Sequence, residues 1–293
     1  MSAHLIDGRQ IADGLRGPLE KQVQELRVAG RRVCLSAVLI GRDPAAESFA
    51  RSCARAAEGI GVEYRLLRLP ESILPAEAGH AIDGLNRDPS VGGIQLHVPL
   101  PPGLDAFSLQ QRIAPHKDVE GVAAANLGLL TMGRPAQVPC TAAAAFECIR
   151  ATGLDLAGAH AVIVGRSTIV GKPVAALLLA AHATVTLCHT RTRGLAEHTQ
   201  RADVLVVAAG QAGLIGAEHV RPGAVVIDVG TNEVAGPPRR IVGDVRFDEV
   251  RETAGWITPV PGGVGPLTVI MLLRNVVEAV RPGADAARLH ATC

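Results

Sequence analysis

Two stretches of this chain hold residue types at spacings from which chemistry could be built. The first is the turn Gly165-Arg-Ser-Thr-Ile-Val-Gly171, which follows the apolar run Ala161–Val164 and opens a helical stretch with Pro173 in its first turn. A second apolar run, Thr184–Cys188, ends at His189. Strand, glycine turn, helix and strand are the βαβ unit of a parallel sheet, and such a turn aims backbone N–H groups and a helix dipole at a phosphate. The spacing is neither G-x-G-x-x-G nor a Walker A loop: five residues separate the glycines, and Pro173 follows Lys172. An NTPase reading is therefore disfavoured. An NAD site usually ends its second strand in Asp or Glu for the ribose 2′-OH, whereas this strand runs into His189-Thr190-Arg191-Thr192-Arg193. With Arg166 in the turn, those cations suit a 2′-phosphate, so NADP(H) is the expected cofactor; the plainer alternative is that the arginines are solvated surface.

The second stretch is Pro115-His116-Lys117-Asp118-Val119-Glu120-Gly121, the densest polar cluster in a loop-rich region spanning 101–140. Glu120 in that loop and His97, at the end of the run Gly93–Val98, are acid–base candidates. A third stretch, Thr258-Pro-Val-Pro-Gly-Gly-Val-Gly-Pro266, is a stiff glycine-rich loop whose backbone could approach a ligand closely.

These stretches need a scaffold, and the chain has material for one. Its 293 residues, 48% hydrophobic, suffice for two domains. The net charge is +1 and aromatics are 2%, which disfavours a nucleic-acid surface. Basic residues number 29, yet only Lys21, Lys117 and Lys172 are lysines. Six cysteines form no C-x-x-C pair, so they read as reduced structural thiols, and no metal site is expected. No apolar run approaches about 18 residues and no basic leader precedes one, so the chain reads as soluble, cytoplasmic and without a membrane partner. Helices are expected over 9–29, 45–59 and 75–87, and strands over 33–40, 61–67 and 93–98. A connecting helix spans 139–156, further strands occupy 204–208 and 225–229, and a last helix covers 266–280. The tail after Pro282 reads as mobile. This is a succession of β-α units, an α/β protein of two three-layer domains.

In order along the chain, IDG at 6–8, KDVEG at 117–121, PCT at 139–141, GRSTIVGKP at 165–173, DVGTN at 228–232, VGD at 242–244 and TPVPGGVGPLT at 258–268 resemble the methylenetetrahydrofolate dehydrogenase/cyclohydrolase family. The resemblance implies a substrate domain of residues 1–140 plus 267–293 and a Rossmann-type NADP-binding domain of 141–266, with a cleft between them. It also implies a homodimer. The expected cofactor residues are Gly165, Arg166, Ser167, Ile169, Val170, Gly171, His189, Thr190, Arg191 and Thr231. The family's dehydrogenase oxidises a folate methylene bridge to methenyl, and its cyclohydrolase opens that ring with water.

The catalytic positions depart from the pattern. Where the family carries Tyr-x-x-x-Lys, this chain has Phe49-Ala-Arg-Ser-Cys53; His97 replaces a Gln, and Glu120 replaces an Asp. A thiol of reference pKa about 8.5 cannot supply the charge of a lysine at about 10.4. Phe49 keeps a stacking face and loses a hydroxyl. Cys53 reads as a space-filling helix residue or a site thiol, and His97 as a network cap or a proton-transfer group. Glu120, His97, Cys53 and Phe49 form the expected catalytic set, and Phe49, His97, Glu120, Pro261, Gly262 and Gly263 the expected substrate contacts. An intact nucleotide motif beside an altered pocket suggests that the cofactor was kept and the substrate changed. The favoured expectation is an NADP-dependent imine reductase, acting on a cyclic imine or iminium, with cyclohydrolase lost. The alternatives are a folate dehydrogenase with weak or absent cyclohydrolase, and a catalytically silent nucleotide-binding paralogue.

Overall fold

A computed structural model describes residues 2–234 and 240–281; the tail after Pro282 lies outside the described residues. In chain order the strands are β1 (His4–Leu5), β2 (Cys34–Ile40), β3 (Glu63–Leu69), β4 (Gly93–Leu96), β5 (His160–Val164), β6 (Thr184–Cys188), β7 (Val204–Val207), β8 (Val225–Asp228), β9 (Asn232–Val234), β10 (Arg240–Val242) and β11 (Trp256–Ile257). The helices are α1 (Gly8–Val28), α2 (Pro44–Gly59), α3 (Pro75–Arg87), α4 (Ala106–Arg112), α5 (Ala124–Thr131), α6 (Cys140–Arg150), α7 (Gly171–Ala180), α8 (Leu195–Thr199), α9 (Phe247–Val250) and α10 (Val264–Ala279).

The chain divides into two compact α/β units, one of residues 2–13 with Thr141–Thr268 and one of Gly14–Cys140 with residues from Val269 onward. The sequence reading assigned all of 1–140 to a single domain, and the N-terminus corrects it. His4 pairs with Trp256 and Leu5 with Ile257, and the Ala3 N–H donates to the Arg251 carbonyl, so β1 forms the edge of the other unit's sheet.

In the unit beginning at Gly14, β2 lies between β3 and β4, all parallel. Every residue of β2 is buried, as expected of a central parallel strand covered on both faces. Successive strands are added on opposite sides of β2, which places a topological switch at the carboxyl ends of β2 and β4, where such sheets bind ligands. The expected strand to Val98 stops at Leu96, ahead of a cis Val98–Pro99 bond, so His97 stands just beyond a strand end. The region read as loop, 101–140, also contains α4 and α5.

The other unit holds a six-stranded sheet in the order β1-β11-β8-β7-β5-β6, parallel throughout. β5 pairs with β6 on one side and β7 on the other, so its own switch point falls at Gly165. The antiparallel pair β9–β10 was not anticipated. The connecting helix ends at Arg150 rather than near 156, and Gly153 at φ +73 follows its end.

Candidate functional site

Within the Gly14 unit, the switch point gathers four expected residues. Asp43 caps α2, its Oδ1 accepting the Ala46 N–H at 2.8 Å, and Pro44 occupies the first turn. Phe49 and Cys53 lie four residues apart, one turn along this helix. Phe49 is 36% exposed, whereas Cys53 is completely buried. The Phe49 and His97 rings meet edge to face at 5.9 Å between centroids. A hollow of about 290 Å³ opens at the same strand ends, bounded by Ile40, Asp43, Pro99 and Pro101.

Glu120 arrives by a different device. The Ile94 N–H donates to the Lys117 carbonyl at 2.7 Å, so the loop runs beside β4 like a short extra strand. Asp118 spends Oδ2 on the Ala123 N–H and the Asn126 amide, and Lys117 donates to the carbonyls of Leu85, Asn86 and Asp88 at the end of α3. Those two side chains are scaffolding. The chain then turns at Gly121, whose φ of +68 and whose crowding against Val138 leave no room for a side chain. What remains directed at the strand end is Glu120, whose Oε2 accepts the Leu96 N–H at 3.3 Å.

Electrostatics divide these groups sharply. Burial pushes the Glu120 carboxyl up to about 7, with the Asp118 charge adding to it and the Leu96 N–H opposing. Burial pushes the Cys53 thiol up to about 12, helped by the Glu120 charge, so it is neither a thiolate nucleophile nor a cation. Burial holds His97 down at about 4, a neutral ring at physiological pH. The site therefore offers one carboxyl poised for proton exchange, one neutral imidazole, one aromatic face and, among the described residues, no ammonium group.

Two residues absent from the sequence reading belong here. Gln95 is 1% exposed, its side chain lies beside Glu120 and Cys53 and lowers the pKa of both, and its Oε1 has no partner among the described residues. A polar side chain inside the apolar run of β4 was the signal for it. Tyr64 on β3 brings its hydroxyl within 3.4 Å of His97 Nε2. It is the only tyrosine in the chain, but nothing in its spacing connected it to position 97.

In the other unit, Gly165 adopts φ +129, and a Cβ there would meet the Ala208 carbonyl oxygen at 2.1 Å. A Cβ on Gly171 would meet the Gly165 oxygen at 2.0 Å, so both glycines are required for the turn to close. The N–H groups expected to face a phosphate are partly occupied: Ser167 Oγ accepts from Val170 at 3.1 Å and its carbonyl accepts from Lys172 at 3.1 Å. Ser167 and Val170 thus build the turn, while residues 166–169 are exposed, Ile169 at 48%.

The Gly165 N–H donates to the Cys188 carbonyl at 2.9 Å, which sets the turn beside the end of β6. There His189 Nδ1 accepts the Arg191 N–H and Thr192 Oγ1 accepts the His189 N–H, shaping a tight loop with Thr190 and Arg191 exposed. No acidic side chain intervenes between Cys188 and Arg193, so a site closed by two glycines and rimmed by Arg166 and Arg191 fits a phosphorylated dinucleotide. Thr231 is exposed after β8, in a loop braced by two acids. Asp228 accepts the N–H groups of Gly230, Asp244 and Val245, and Asp244 those of Ala209 and Gly210. Pro261, Gly262 and Gly263 also lie in this unit, where the Gly8 N–H donates to the Gly262 carbonyl at 3.0 Å and a Gly8 Cβ would strike the Gly263 oxygen. The IDG motif is thereby explained as packing. Among the described residues no cluster could hold a metal ion, and all five described cysteines are free and buried.

Comparison with known proteins gives two family matches covering most of the chain: the tetrahydrofolate dehydrogenase/cyclohydrolase catalytic domain over residues 6–120, and the NAD(P)-binding domain of the same family over 139–283. The bifunctional protein FolD of Brevibacillus brevis is 45% identical over 97% of this chain and 99% of its own length. Among solved structures, FolD methylenetetrahydrofolate dehydrogenase/cyclohydrolase from Campylobacter jejuni superposes with a TM-score of 0.92 at 38% identity, covering 95% of this chain and 99% of that one. The Trypanosoma brucei enzyme, complexed with NADP and an inhibitor, gives 0.91 at 38% identity over 96% and 98% of the two chains.

Proposed function

Because the chain belongs to the tetrahydrofolate dehydrogenase/cyclohydrolase family, we propose that it is an NADP-dependent methylenetetrahydrofolate dehydrogenase whose cyclohydrolase activity is weak or absent. The observation that carries this reading is Cys53, a fully buried neutral thiol at the position where the family resemblance calls for a lysine. The imine-reductase expectation gives way to the folate alternative, since the family and the relatives named above, matching over nearly their whole length, are bifunctional folate proteins.

Arg166, Thr190 and Arg191, with the turn Gly165–Gly171, would hold the phosphates of NADP, the cofactor with which the Trypanosoma brucei relative is complexed. When bound, the cofactor supplies the hydride acceptor. The chain's own residues then have separable tasks. Phe49 stacks against a flat portion of the substrate, His97 donates a hydrogen bond as a neutral ring, and Glu120 holds or exchanges a proton near neutral pH. Hydrolysis is different: water addition at the bridging carbon passes through a charged tetrahedral species, and no ammonium group stands here to assist it. Lys117 is committed to three carbonyls, and Lys172 lies in the nucleotide turn. In this reading residues 14–140 bind substrate, and the protein is a cytoplasmic homodimer. The buried reduced cysteines agree with that compartment, and no described helix is long and apolar enough to cross a membrane.

The reading is tested by offering the purified protein NADP⁺ with methylenetetrahydrofolate and, separately, NADPH with a panel of cyclic imines, following absorbance of the reduced cofactor. Turnover of the folate alone is expected. Imine reduction without folate oxidation would reverse the assignment, and no turnover of either would leave a silent paralogue.

A further inference from the structure

His97 is 3% exposed, and its backbone N–H is spent on the Val38 carbonyl at 2.9 Å. Its ring is bounded by the Phe49 edge contact from α2 and by the Tyr64 hydroxyl from β3, 3.4 Å from Nε2. A pairing between a neutral imidazole and a phenol has two possible directions, and the relative acidity of the two groups decides which holds. Either direction leaves one hydrogen without a partner among the described residues, the phenolic one if Nε2–H donates and the Nδ1–H if the phenol donates. A phenol of reference pKa about 10 is a far stronger acid than a neutral imidazole N–H, and an unprotonated imidazole nitrogen is a far stronger base than a phenolic oxygen, so the phenol donates and the ring's own proton sits on Nδ1.

We propose that Tyr64 is a positioning residue: its hydroxyl donates to His97 Nε2, fixes the ring in the Nδ1–H tautomer, and so presents Nδ1–H as a donor to an oxygen or nitrogen acceptor of the bound substrate. Both groups hold the charge states the arrangement requires, because burial keeps the phenol protonated and the imidazole uncharged. The geometry extends what a histidine at this position can do. An untethered imidazole can exchange tautomers and present either a donor or an acceptor, whereas a tethered one presents a donor only. Only the final clause, the contact to substrate, rests on the folate reading; the tautomer is a property of the free protein.

The test separates the two. Nitrogen-15 spectra of histidine-labelled protein, with the His97 signals assigned by their loss in His97→Gln, should show a protonated Nδ1 and an unprotonated Nε2. In Tyr64→Phe, which keeps the ring and removes only the hydroxyl, those signals should move toward the Nε2–H form while the melting temperature changes little. In turnover with methylenetetrahydrofolate, Tyr64→Phe should lower kcat/KM about twofold to tenfold, the worth of one hydrogen bond, and should have no further effect in a His97→Gln background. A parent His97 already in the Nε2–H form, signals unmoved by Tyr64→Phe, or an undiminished Tyr64→Phe effect without His97 would each overturn the proposal. Absence of folate turnover with the tautomer shift intact would sink the substrate reading and leave the tether standing.

Discussion

At the scale of single residues, Glu120 and His97 are displaced in opposite senses by the same cause. Burial raises the Glu120 carboxyl to about 7 and lowers His97 to about 4. Between about 4.5 and 7 the folded state binds the Glu120 proton more tightly than the unfolded chain does, so this group's contribution to stability falls as pH rises. Between about 4 and 6.5 the unfolded chain binds the His97 proton more tightly, so that contribution rises with pH. Glu120→Gln should therefore gain stability over the parent as pH rises through this window, by about 1–3 kcal/mol above pH 7. His97→Gln should gain on the parent only as pH falls below about 6.5. Urea unfolding of the three proteins across pH checks both signs; parallel curves would show that neither group is buried as described. Dehydrogenase activity should likewise lose a titration near pH 7 in Glu120→Gln.

At the scale of elements, the nucleotide turn and the α3 terminus make separate predictions. Each charge-assisted contact to a phosphate is worth about 1.5–3 kcal/mol, so Arg166→Ala should raise the KM for the NADP couple at least about tenfold and leave that for NAD nearly unchanged. Equal KM values for the two cofactors in the parent would contradict the assignment of the arginines. Lys117→Met leaves three carbonyls at the end of α3 without their shared donor, which should cost about 2–4 kcal/mol of stability, read by thermal unfolding, while activity per folded molecule persists. Much of this was legible in sequence. The βαβ unit announced itself because Gly165, Pro173 and His189 punctuate apolar runs of the right length, and positions 49, 53, 97 and 120 could be singled out because motifs fix their neighbours. Residues whose roles depend on contacts distant in sequence were not legible: Tyr64 is 33 positions from His97, Asp228 holds N–H groups 16 and 17 positions away, and β1 joins a strand near residue 256. Gln95 could have been noticed as polar within an apolar strand, but its neighbours Glu120 and Cys53 could not have been named.

At the scale of the molecule, each unit by itself places its functional residues at the switch point of a parallel sheet, Gly165 in one and the neighbourhood of His97 in the other. The same principle positions the Gly165–Gly171 turn and the Glu120–His97 cluster from unrelated local sequences. Assembly as a homodimer is expected from the family, and light scattering at micromolar concentration should return twice the 30.4 kDa chain mass; a single-chain mass would contradict it. The central claim is oxidation without hydrolysis, because the site holds a poised carboxyl and no ammonium group. It is tested most directly by measuring methenyltetrahydrofolate hydrolysis by this protein alongside the Brevibacillus brevis relative, with NADP⁺-dependent methylenetetrahydrofolate oxidation followed in the same preparations. Missing general acid–base assistance costs about 10²–10⁴ in rate, so hydrolysis should fall at least about a hundredfold below the relative while oxidation remains comparable. Hydrolysis at the relative's rate, unchanged in Cys53→Ala, would contradict the account.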